Sequence, residues 1–78
     1  MTISGTLTVL DNNQQNHVIQ ADDFTLDPHL DGRSTSVGFD DGNFSVEIIV
    51  ENKNGAVSLG NWETKNCSVT QDNITFHP

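Results

Sequence analysis

Seventy-eight residues with eleven acidic and three basic side chains carry a formal charge of −8, which limits what this chain can bind. With Arg33, Lys53 and Lys65 as the only cations, the composition argues against direct contact with nucleic acid or an anionic membrane, and favours a basic partner. A chain this short buries only roughly 60% of its unfolded surface, so the 21 Leu, Ile, Val and Phe residues predict one small-cored domain over residues 1–78, which a homo-oligomer would support.

Ile3 to Leu10 alternates as a half-buried strand does, with Ile3, Gly5, Leu7 and Val9 on one side and mainly Thr on the other. The polar stretch Asp11 to Asn16 reads as a loop. A short strand is expected from His17 to Ala21, with Phe24 and Leu26 continuing the same sheet beyond a bulge near Asp22 and Asp23. Asp27-Pro28 and Asp31-Gly32 then mark turns, because proline fixes φ and lacks an amide hydrogen while Asx-Gly tolerates tight reversal.

Two Asx-Gly pairs organise the centre. Asp41-Gly42 and Asn54-Gly55 suit two-residue hairpins in which both central residues take positive φ. A loop at Asp41-Gly42 sets Asp40 opposite Asn43, Phe39 opposite Phe44 and Val37 opposite Val46. A loop at Asn54-Gly55 sets Lys53 opposite Ala56, Asn52 opposite Val57 and Val50 opposite Leu59. Val37, Phe39, Phe44, Val46, Ile48, Val50, Val57 and Leu59 then share one inner face, and a one-residue slip at either turn would destroy that match. After the meander, Cys67 and Val69 alternate with polar residues, and a turn at Asp72-Asn73 would pair Val69 with Phe76.

No window has a sustained helical period. The predicted fold is all-β, a single antiparallel domain of six or seven short strands arranged as a sandwich or partly closed barrel.

Chemistry is harder to find. There is no nucleophile elbow, phosphate-binding loop or His-Glu-x-x-His helix, and no catalytic residue or cofactor is expected. Cys67 stands alone, which rules out a disulfide within the chain, and its phase with Val69 points it to the core. Asp23, Asp27 and Asp31 are the candidate calcium ligands. Asp27, His29, Asp31 and Gly32 echo the start of an EF-hand loop, but His29 stands where a carboxylate or amide is needed, Pro28 intrudes, and Gly38 replaces the closing bidentate Glu. A solvated acidic turn is the better reading. His17, His29 and His77 lack paired metal-ligand spacing. Three N-x-S/T triplets, at Asn43, Asn66 and Asn73, are near what chance supplies in so Asn-rich a chain.

The outer face of the meander is the candidate protein-binding surface. Strict alternation places Glu47, Ile49, Glu51 and Trp62 there among small residues, with Glu47 opposite Trp62 and Ile49 opposite Gly60. It also turns Asn61 inward beside Ile48. A one-residue bulge at Gly60 or Asn61 would exchange the two, and is favoured because Trp is mostly buried. The expected function is therefore a non-enzymatic, soluble protein-binding domain. The alternatives are an acidic inhibitor that imitates nucleic acid and a calcium-binding or carbohydrate-binding module. With neither a signal peptide nor a membrane-spanning stretch, a cytoplasmic location is the default expectation.

Overall fold

In the computed structural model, which describes all residues from Met1 to Pro78, the alternating segments form eight strands in two antiparallel sheets. The strands are β1 (Thr2–Asp11), β2 (Asn16–Gln20), β3 (Thr25–Pro28), β4 (Ser34–Asp40), β5 (Ser45–Lys53), β6 (Ala56–Leu59), β7 (Glu63–Lys65) and β8 (Cys67–His77). One sheet has the order β2-β1-β8. The other runs β3-β4-β5-β6, with β7 pairing the opposite end of β5 from β6. The expected all-β class holds, as a two-sheet sandwich with no closed barrel. No helix is long and apolar enough to cross a membrane.

Core residues come from alternate positions of both sheets. Leu7, Val9, Ile19 and Phe76 of the first sheet meet Val37, Phe44, Val46, Ile48 and Val50 from the β4–β5 hairpin, and Phe24 enters from the crossover between sheets. These ten are the only buried residues, and none is polar. Each large aliphatic side chain removed from water in this way contributes about 1.5–3 kcal/mol. Leu59 is the one expected inner-face residue that the small core leaves largely uncovered, at 52% exposure.

The Asn54-Gly55 hairpin forms as expected. Asn54 and Gly55 take φ of 54° and 84°, and Lys53 faces Ala56, Asn52 faces Val57 and Val50 faces Leu59. Asp41-Gly42 behaves differently. Here the Asp41 carboxylate accepts the backbone N–H groups of Asn43 and Phe44, and only Gly42 takes a positive φ. The connection widens to four residues, so Phe39 faces Val46 and Val37 faces Ile48. That displacement is two residues, and a two-residue displacement leaves every side chain on its expected face.

Two expected connections are corrected. Phe24 and Leu26 do not extend the sheet of His17. A single 3₁₀ turn at Ala21–Asp23, closed by the Asp23 carboxylate on the Gln20 N–H, carries the chain across to β3 in the other sheet. The chain also does not reverse at Asp72-Asn73. β8 runs straight through, pairing Ile3 with Phe76 and Val9 with Val69, because the long partner β1 offers more backbone bonds than a local turn. A bulge in β8 leaves Thr70 unpaired between Val69 and Gln71, and its hydroxyl donates to the Thr8 carbonyl.

Gly5 is required where β1 passes β8. Its φ is +98°, and a Cβ there would stand 1.9 Å from the Asn73 carbonyl oxygen. Gly5→Ala is therefore expected to destabilise the domain by at least about 3 kcal/mol, well beyond the ~1 kcal/mol of an ordinary substitution. Gly42 has open space around it, and urea unfolding of Gly42→Ala provides the comparison, with a much smaller loss.

Candidate functional site

A one-residue change of register creates the site. Between β5 and β6 the ladder pairs Val50 with Leu59, and the Gly60 N–H still donates to the Ile49 carbonyl at 2.9 Å. Between β5 and β7 the pairing is Glu47 with Glu63 and Val46 with Thr64, one residue out of step. The bulge favoured on sequence grounds thus lies in the segment from Gly60 to Trp62. Asn61 turns out to solvent and Trp62 turns in.

Trp62 becomes half-buried against the core, its ring centroid 5.8 Å from that of Phe24. Its Nε1–H donates to Asp72 Oδ2 at 2.9 Å, and Asp72 Oδ1 accepts the Ile74 N–H. A single carboxylate thereby ties the bulged segment of one sheet to the edge of the other. Of the four residues placed on the outer face by strict alternation, the structure keeps Glu47, Ile49 and Glu51 together on β5 and separates Trp62 from them.

Glu63 takes the place expected for Trp62. It stands directly across from Glu47, and no cation lies within ion-pair distance of either. Ile49 is 39% exposed beside them. Because Gly60 has no side chain, a shallow hollow of about 250 Å³ remains, lined by Glu47, Ile49, Gly60, Asn61 and Glu63. Lys53 is drawn to Glu51, its Nζ 3.5 Å from Oε1. The arrangement offers two carboxylates on one rim of the hollow with an aliphatic wall, a form suited to a cationic side chain whose stem is apolar.

Most of the other carboxylates hold turns. Asp11 accepts the N–H groups of Asn13 and Gln15, Asp31 those of Arg33 and Ser34, and Asp40 that of Gly42. The candidate calcium ligands do not converge. Asp23 is turned back to Gln20, Asp31 closes its own turn, and Asp27 lies on the outer face across from Ser36. No three His, Cys, Asp or Glu side chains are grouped as metal ligands. His29 meets Ser36 Oγ at 2.6 Å, whereas His17 bridges to Asp11 at 2.7 Å with its ring against Phe44. Cys67 is half-buried, with its Sγ donating to the Ser45 carbonyl, and burial pushes its thiol pKa up, so it rests protonated.

The turn-holding acids make stability depend on pH. The Arg33 and Ser34 N–H groups, then the Ser34 hydroxyl, lower the Asp31 pKa from 3.8 to about 2. Asp11 is lowered first by Gln15 N–H and then by His17, and Asp41 by the N–H groups of Asn43 and Phe44. A carboxylate whose pKa is lower when folded stabilises the fold above its unfolded pKa and loses that contribution as pH falls through the folded value. Urea midpoints should therefore drop between pH 4 and pH 2, and Asp31→Asn should flatten the dependence; a constant midpoint across that window contradicts the assignment.

No protein-family model, curated protein or solved structure matches this chain, so its functional reading rests on its own geometry.

Proposed function

We propose that the chain is a non-catalytic binding domain whose five-stranded sheet receives a basic protein segment on its outer face. An Arg or Lys side chain of the partner lies between Glu47 and Glu63 with its stem along Ile49. The observation that carries this reading is the unneutralised opposition of Glu47 and Glu63. Like charges directly opposite each other across two strands oppose folding, and a partner's cation would relieve that repulsion on binding. A guanidinium suits the notch better than an ammonium, since its planar fork can bond both carboxylates at once.

A second reading, an acidic decoy for a phosphate-binding groove, draws on Asp27, Glu47, Glu51 and Glu63, which share this face. Ile49 interrupts that row with an apolar side chain, and Lys53 and Lys65 add cations at its two ends. These features favour a mixed apolar and basic partner over imitation of a uniformly charged polymer.

Glu63→Lys is the decisive substitution. It should raise stability by roughly 0.2–1 kcal/mol, because a like-charge pair becomes an opposite one, and it should abolish binding of an oligo-arginine peptide. NMR titration of the isotope-labelled protein should shift the amides of Glu47, Ile49, Gly60 and Glu63, with the effect weakening as salt rises. Shifts spread evenly over the acidic turns, or left intact by Glu63→Lys, would sink the proposal.

A further inference from the structure

β8 is the longest strand, with 11 residues, and it pairs only with β1. The direction of its free backbone groups follows from two contacts. The Asn73 carbonyl oxygen is directed at β1, where it would meet a Cβ on Gly5. In a trans peptide the N–H points opposite to the C=O, so the Ile74 N–H faces away from β1, and it does so toward Asp72 Oδ1 at 3.1 Å. Alternation along an antiparallel strand then directs the N–H and C=O groups of Asp72, Ile74 and Phe76 outward.

The other edges are blunted. β3 ends in Pro28, β2 has five residues and runs into the 3₁₀ turn, and β6 has four and stops at the bulge. Short length, proline and bulges are the usual protections of a sheet edge; the bulge of β8 lies at Thr70, and from Gln71 to His77 the strand has only the Asp72 carboxylate covering the Ile74 N–H.

We infer that β8 is a self-association edge, at which a second copy of this chain adds its own β8 in antiparallel register about a two-fold axis at Thr75. The charge distribution selects a second copy. On a chain of charge −8, Asp72 is the only formally charged side chain from Cys67 to Pro78. The outer face of its sheet is uncharged too, carrying Thr2, Ser4, Thr6 and Thr8 of β1 with Asn73 and Thr75 of β8. This edge is where two such acidic molecules approach with least repulsion. An axis at Thr75 sets Ile74 opposite Phe76 of the second copy, so that their outward backbone groups pair and their inward side chains continue the core across the seam. It also holds the two Asp72 carboxylates about 20 Å apart, beyond the ~8 Å screening length at physiological salt. The Ile74 N–H exchanges Asp72 for a strand, and Asp72 keeps its bond to Trp62.

Sedimentation equilibrium of the full chain from micromolar to millimolar concentration tests this. The mass should rise from 8.5 kDa toward twice that value, and more readily at high salt, which screens the repulsion between copies. Thr75 is exposed on the outer face, so Thr75→Glu and Thr75→Lys should each fold, as their melting curves will show, and each stay monomeric because like charges meet at the axis. An equimolar mixture of the two should associate again. A wild-type mass fixed at 8.5 kDa at millimolar concentration overturns the inference, as does undiminished association of the two single variants. Salt separates this from the basic-partner proposal, because peptide binding at Glu63 weakens under the conditions that strengthen association at β8.

Discussion

The fold and the candidate site both depend on one extra residue between β6 and β7. Up to Gly60 the third strand of the meander keeps step with β5, and from Glu63 it is one residue out of step. Because side chains alternate with period two, that single residue inverts everything after it. Trp62 goes inward to Phe24 and Asp72, which links the two sheets where the core is small and each large side chain matters. Glu63 goes outward to face Glu47. Core closure and an unneutralised acidic pair are thus two consequences of the same backbone event.

The distribution of carboxylates gives the net charge its meaning. Asp11, Asp23, Asp31, Asp40, Asp41 and Asp72 each accept a backbone N–H, so much of the acidity replaces hydrogen bonds that turns and edges would otherwise lack. Of the other five, Asp22 lies in the 3₁₀ turn, and Asp27, Glu47, Glu51 and Glu63 share one sheet face with Lys53 and Lys65. The opposite outer face, on the three-stranded sheet, carries no formal charge along β1 and β8. The molecule is therefore electrostatically two-sided, which allows a basic segment and a second copy of the chain to use different surfaces.

Elements specified by local chemistry were legible in the sequence. Asn54-Gly55 set its hairpin register because both residues adopt positive φ, and the alternation of Phe44, Val46, Ile48 and Val50 identified the buried face. At Asp41 the side chain captured two N–H groups and lengthened the loop, but the two-residue displacement spared the face assignment. What sequence reasoning missed is nonlocal. The pairing of β8 with β1 overrode the local turn signal at Asp72-Asn73, and the crossing of Ala21–Asp23 to the second sheet has no periodic signature. Glu47, Ile49 and Glu51 were placed on the outer face by the turn count alone. Glu63 was not, although the favoured bulge contained the information, since any shift that turns Trp62 inward must turn Glu63 outward.

The position of the single Trp tests this account most directly. In a two-dimensional NMR spectrum, the Trp62 ring protons should show through-space cross-peaks to the Phe24 ring, and the indole N–H should exchange slowly because Asp72 holds it. Cross-peaks from Trp62 to Ile49, with a rapidly exchanging indole N–H, would mean that the third strand stays in step with β5. Glu63 would then face inward, and the acidic notch would not exist.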